Sequence, residues 1–279
     1  MTLLKDKVVF IGGATRGVGK AIAIKAAKEG AHVVITGKTD KPHPKLPGTI
    51  HSAKEEIEAA GAKSVTAIVC DVRDLESLKA AIDQVGEHFG RIDVLVNNAS
   101  ALYLLPTEAL TEKAFDLMHQ IIVRGSLFAS KYALPYLKNS EMRQIINIAP
   151  SVEMKPKWFG NHTAYTLCKF ASSMMVTGLA HEFKGDKISV NALWPATLLN
   201  TAAVKFVLGG DAALAHTRDP KIMADALCEV IKKNVTGEYF LDDQVIREMG
   251  KDPDSYATVA GNKPYVDLYV EEAELTTSA

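Results

Sequence analysis

Cysteine is scarce in this chain. The three residues Cys70, Cys168 and Cys228 are odd in number, widely spaced and form no Cys-x-x-Cys pair. That excludes a disulfide framework and a cysteine-based zinc site, and points to a reducing compartment. No His/Cys/Asp cluster offers metal-ligand spacing, so no metal is expected. Excess charge is lacking too: 32 Lys+Arg against 33 Asp+Glu leave a net charge of −1. Such a balance gives no electrostatic reason to expect nucleic acid or an anionic membrane as partner. No run of 18 apolar residues exists, so no membrane span is expected. The opening Met-Thr-Leu-Leu-Lys-Asp-Lys lacks a signal-peptide apolar region, and the expected location is cytoplasmic. Apolar residues are plentiful, at 47% of 279. A chain of this size and composition can bury the large core of a single α/β domain.

Strand-like and helix-like segments alternate. Val8–Gly12, His32–Thr36, Val65–Cys70, Ile92–Val96, Gln144–Ala149, Ile188–Trp194 and Glu238–Leu241 read as strands. Gly17–Glu29, Ser52–Ala60, Leu75–Phe89, His162–Glu182 and Pro220–Lys233 read as helices. Pro42, Pro44 and Pro47 rule out regular structure between Lys38 and Pro47. Apolar strands alternating with helices predict a doubly wound parallel sheet covered on both faces. Residues 1–250 are expected to form one domain, with 251–279 a polar, partly disordered extension.

The first turn reads Gly12-Gly13-Ala14-Thr15-Arg16-Gly17-Val18-Gly19-Lys20, after a strand and opening a helix. Glycines there let the backbone approach a pyrophosphate, and the helix N-terminus supplies N–H donors. Gly13, Thr15, Arg16, Gly17, Val18 and Gly19 are therefore candidate cofactor contacts. The second strand ends Thr36-Gly37-Lys38. An acidic residue at that end would accept bonds from the ribose of NAD. Here the place is Gly37, followed by the cation Lys38, and Arg16 is a second cation nearby. The pattern favours NADP, although a solvated loop charge is the plainer reading of Lys38.

Tyr165 and Lys169 stand four residues apart in Ala-Tyr-Thr-Leu-Cys-Lys, so on a helix they share a face. A phenol with a pKa of about 10 is a poor acid–base group near neutrality. A lysine cation beside it is expected to lower that value and make proton transfer possible. Alone, such a pair is common by chance.

Together these residues resemble the classical short-chain dehydrogenase/reductases, from about Leu4 to about Asp243. Gly13-x-x-x-Gly17-x-Gly19 is similar to the family's cofactor loop. Asp71-Val72 resembles the pair whose carboxylate bonds the adenine amino group. Asn97-Asn98-Ala99-Ser100 resembles the Asn-Asn-Ala-Gly motif, and Tyr165-x-x-x-Lys169 the catalytic one. Asn191 with Trp194-Pro195-Ala196 resembles the Asn…Pro-Gly segment, with Thr197 and Thr201 near the nicotinamide end. The resemblance implies a seven-stranded sheet in the order 3-2-1-4-5-6-7. It implies Asp71, Val72, Asn98, Ala99, Ser100, Pro195, Thr197 and Thr201 as further cofactor contacts, joined by Tyr165 and Lys169. It also implies a homo-dimer or homo-tetramer.

Two of the departures from the family bear on activity. Ile122 stands where an asparagine holds a relay water, and Ala149-Pro150-Ser151 replaces the usual serine pair. Strict alignment puts Pro150 on the catalytic serine. Ser151 is the nearest hydroxyl and the candidate replacement; the alternative is a loop serine bonding its own backbone. The implied activity is NADPH-dependent interconversion of a carbonyl and an alcohol. Tyr103, Leu104, Met154, Trp158, Phe159, Val204 and Phe206 flank the family's pocket and suggest an apolar steroid-, acyl- or aromatic-ketone-like substrate. A cofactor-binding sensor or scaffold with weak or no catalysis is the alternative, favoured by Ile122 and Pro150.

Overall fold

The computed structural model describes residues 2–42 and 47–275. Pro44, in the loop expected to be irregular, and the last four residues lie outside the described residues. The strands are β1 (Val8–Gly12), β2 (His32–Gly37), β3 (Ser64–Val69), β4 (Val94–Asn97), β5 (Gln144–Ile148), β6 (Ser189–Trp194) and β7 (Tyr239–Leu241). They form one parallel sheet in the order β3-β2-β1-β4-β5-β6-β7, as the resemblance implied. In register, Val9 faces Val33 on one side and Val94 on the other. Val8, Val9, Phe10 and Ile11 are fully buried, because helices cover both sheet faces.

Those helices are α1 (Gly17–Lys28), α2 (Ile50–Ala59), α3 (Leu75–Phe89), α4 (Glu112–Met118), α5 (Ser126–Lys138), α6 (Pro156–Phe159), α7 (Thr163–Glu182), α8 (Gly210–Leu214), α9 (Lys221–Lys233) and α10 (Asp242–Glu248). Local chemistry sets their starts. Thr49 and Ser52 form a reciprocal capping box on α2, and Asp74 accepts the amides of Glu76 and Ser77 at 3.1 Å on α3. Each such cap stabilises by about 1 kcal/mol. By contrast, Arg16 caps α1 with no side-chain bond, so the first-turn amides of α1 have no capping carboxylate or hydroxyl from that residue. Between α4 and α5 the chain widens into π-helix over His119–Gly125. Ile122 lies in that stretch, buried in the main apolar core.

The strand order reverses direction between β1 and β4, where the crossovers leave opposite faces of the sheet. The crevice beyond their carboxyl ends is the ligand position of such sheets. Residues 251–275, expected as an extension, pack against this same end. Thr197 bridges Val266 in antiparallel fashion, and Tyr269 and Val270 are buried in the core shared with β6 and α7. The tail reaches the core because Tyr269 brings a large apolar ring among Trp158, Phe170 and Trp194, at centroid distances of 6.0, 5.3 and 5.8 Å.

Candidate functional site

The glycine loop leaves β1 in a tight turn pinned to the end of β2. The amides of Gly13 and Ala14 both donate to the Thr36 carbonyl, at 2.9 and 3.0 Å. Gly13 has φ of +72°, and a Cβ there would come within 2.8 Å of the Ala99 Cα. Only glycine fits that close approach. Just after β4, the Asn98 side-chain amide donates to the carbonyls of Gly12 and Gly13, at 3.0 and 2.9 Å, and fastens the loop from the other side.

A cavity of about 550 Å³ runs from this loop to α7. Gly13, Thr15, Arg16, Gly17 and Val18 line its β1 side, and Lys38, Asp71 and Val72 its β2–β3 side. Asn98, Ala99 and Ser100 follow after β4, with Pro195 and Thr201 after β6. Tyr165 and Lys169 close the far end. Three expected site residues do not line it. Gly19 packs beneath Asn98, where a Cβ would meet the amide at 2.5 Å. Thr197 is buried away from the cavity. Ser151, the candidate replacement for the catalytic serine, is exposed in the loop after β5 and does not line the cavity. The turn that carries it is drawn elsewhere: the Pro150 carbonyl accepts the Ser173 hydroxyl at 2.6 Å.

At the loop end, Arg16 donates to Thr39 at 2.9 Å and to Thr15 at 3.3 Å, while its Nη1 is buried with no partner among the described residues. Lys38 is exposed on the rim. A Cβ on Gly37 would meet the Thr15 methyl at 2.6 Å, so an acidic side chain there would require the loop to shift. A glycine cradle, an uncapped helix start and an orphaned guanidinium nitrogen suit the phosphates of a dinucleotide. Asp71 is less free than expected. Arg73 grips its carboxylate with Nε at 3.0 Å and Nη2 at 2.6 Å, and holds its pKa below the usual range.

At the α7 end, Tyr165 and Lys169 are both nearly inaccessible, at 6% and 4% exposure. Lys169 Nζ donates to the Ile148 carbonyl at 3.0 Å and lies 5.0 Å from the Trp194 ring centroid. Burial pulls the lysine down to about 8, with Asp267 and Cys168 opposing. The phenol of Tyr165 is pushed well above its usual value, first by burial, then by Tyr269, Asp267 and Cys168. This reverses the expected lowering by Lys169, whose cation donates to a carbonyl and lies closer to the Trp194 face than to the Tyr165 ring, which is 6.0 Å away. The site therefore holds a neutral phenol, able to give a proton, beside an amine that titrates near neutrality.

The apolar wall combines Leu102, Leu104, Ile121, Leu199, Val204 and Phe206. Of the residues expected to flank the pocket, Leu104, Val204 and Phe206 reach it. Tyr103, Met154, Trp158 and Phe159 do not; Trp158 and Phe159 join the aromatic cluster beneath it. Sequence reasoning missed Asp267 and Leu268, which the tail carries to the Tyr165 end. No motif or periodicity marks them. A second cavity, of about 810 Å³, lies behind α1 and lacks both Tyr165 and Lys169. Its lysines are largely neutralised: Lys20 pairs with Glu56, Lys25 with Asp225 and Lys221 with Asp219.

Known proteins share this architecture. Residues 7–210 match the short chain dehydrogenase family. The chain is 48% identical over 267 residues to hydroxysteroid dehydrogenase-like protein 2 of Bos taurus, covering 95% of this chain and 63% of that protein. It thus spans under two thirds of that relative's length. A crystal structure of a putative dehydrogenase from Xanthomonas campestris superposes with a TM-score of 0.91 at 41% identity, covering 96% of this chain and 99% of that one. A short chain dehydrogenase from Mycobacterium thermoresistibile gives a TM-score of 0.90 at 40% identity, covering 96% of each chain. With its parallel sheet, glycine loop and buried Tyr165–Lys169 pair in one crevice, the chain belongs to the short-chain dehydrogenases, a family of NAD(P)-using oxidoreductases.

Proposed function

We propose that the protein is an NADP(H)-dependent oxidoreductase that interconverts a carbonyl and an alcohol on an apolar substrate. The observation that carries this reading is the single cavity in which Tyr165 and Lys169 meet the glycine loop and the cations Arg16 and Lys38. The cofactor, when bound, supplies the hydride. The chain's own residues do the rest. Loop amides and the start of α1 hold phosphate, and Arg16 with Lys38 receives the 2′-phosphate. Tyr165 gives its phenolic proton to the carbonyl oxygen, and Lys169 steadies the charge left on the phenolate. Leu102, Leu104, Val204 and Phe206 exclude water from the reacting end and favour an apolar steroid-, acyl- or aromatic-ketone-like substrate.

The reading extends to assembly and location. Leu127 on α5 and Leu167 and Met174 on α7 are exposed apolar residues, which suits a homo-dimer or homo-tetramer. Cys70, Cys168 and Cys228 are unbonded, which suits a reducing compartment such as the cytoplasm.

A second reading, a cofactor-binding sensor or scaffold, is favoured by the exposed Ser151 and the buried, apolar Ile122. A panel of apolar ketones and alcohols, offered with NADPH, NADH and their oxidised forms, separates the two. Absorbance of the reduced cofactor should change with at least one substrate and favour the phosphorylated cofactor. Tight NADPH binding without turnover across the panel would support the sensor.

A further inference from the structure

The turn after β3 is built around one carboxylate. Asp71 lines the loop end of the cavity beside Cys70 and Val72. Arg73, two residues on, does not line the cavity but reaches back to that carboxylate. Its backbone amide donates to Asp71 Oδ1 at 3.1 Å. Its Nε donates to both carboxylate oxygens at 3.0 Å, and its Nη2 to Oδ2 at 2.6 Å. The Asp74 amide closes the turn on the Asp71 carbonyl at 2.9 Å.

Arg73 is in turn held from across the fold. Arg124, in the π-helical stretch between α4 and α5, donates its Nη1 to the Arg73 carbonyl at 2.9 Å. The adjacent Gly125 packs against Val72, where a Cβ would meet the valine side chain at 3.3 Å. One helix thus fixes Val72 and Arg73, and through Arg73 the Asp71 carboxylate.

An ionised carboxylate accepts at about four lone-pair sites and donates at none. Three N–H groups of Arg73 engage Asp71, and 27% of its side chain stays accessible, which leaves room for one donor from a ligand. A phosphate cannot supply that donor, whereas the adenine of NADP(H) carries an exocyclic amino group. We infer that Arg73 is a positioning residue for cofactor recognition: its guanidinium fork turns the Asp71 carboxylate so that the remaining acceptor meets the adenine amino group, and the site thereby selects adenine. The inference rests on reading this cavity as the NADP(H) site. Orientation matters here more than charge. A fork that grips both oxygens fixes the carboxylate plane, whereas a lysine supplies a point charge and leaves the plane free. The same grip keeps Asp71 ionised, its pKa held below the usual carboxylate range chiefly by the Arg73 hydrogen bonds.

The test reads binding alone, without substrate or turnover. Dissociation constants are measured by fluorescence titration for NADPH and for its hypoxanthine analogue, in which an oxygen replaces the adenine amino group. The unmodified protein should prefer NADPH by about tenfold, the worth of one hydrogen bond to a charged group. D71A should bring the two constants together. R73Q and R73K should each reduce the preference to within about threefold, R73K although it keeps the charge. Arg73 is 39% exposed, so both variants should fold with little change in melting temperature. A purely structural role would weaken both cofactors alike and leave their ratio in place. A preference lost in D71A but kept in R73Q and R73K overturns the inference alone. Equal binding of the two cofactors by the unmodified protein overturns it together with the placement of adenine beside Asp71.

Discussion

The Trp194 indole nitrogen donates to the carbonyl oxygen of Leu268, 2.9 Å away and 74 positions later in the chain. This bond ties the C-terminal segment to the last residue of β6, beneath the cavity. It also sets Tyr269 against Trp158, Phe170 and Trp194.

The tail should accordingly contribute to the stability of the whole domain. Replacing a buried aromatic ring by alanine costs about 3–5 kcal/mol through lost burial and a cavity. Y269A should therefore lower the free energy of unfolding by roughly 3 kcal/mol, measured by denaturant titration. A loss comparable to that of an exposed residue would show that the tail packs without holding the domain.

Cofactor choice follows from charge at the loop rim. Lys38 is exposed, so solvent screens its interaction with a phosphate, while Arg16 is partly buried. K38D should narrow the preference for NADPH over NADH by about three- to tenfold, or about 1 kcal/mol. R16A should narrow it more. Dissociation constants from fluorescence titration check both, and an unmodified protein that binds the two cofactors equally would contradict the assignment.

The loop after β5 gives a contrasting expectation. Ser151 is exposed and outside the cavity, so S151A should change turnover by less than about twofold, the range of an ordinary surface substitution. I122N places an amide in a buried apolar site and should destabilise by about 2 kcal/mol unless water reaches it. A large loss of turnover in S151A with unchanged melting would mean that the loop closes over the substrate.

Sequence legibility followed distance along the chain. The glycine loop, Asn98 and the Tyr165–Lys169 pair were readable because a few adjacent residues carry each geometry. The strand order rested on family resemblance and alternation, and the parallel sheet bears both out. Asp267 was invisible because its meaning comes from pairing with Ala196 across the fold. Proximity of Tyr165 to Lys169 was legible, but not the direction of the amine. The Ile148 carbonyl and the Trp194 face fix that, and both come from other strands. The grip of Arg73 on Asp71 was local and could have been read from a carboxylate and a guanidinium two residues apart.

The central claim, that Tyr165 is the proton donor, is tested most directly by Tyr165→Phe on a ketone that the unmodified protein reduces. This substitution removes one hydroxyl and keeps the ring that fills the end of the cavity. Turnover should fall by about 10²-fold or more, while the NADPH dissociation constant and melting temperature stay close to the unmodified values. Retention of most of the activity would contradict the account and place the proton donor elsewhere.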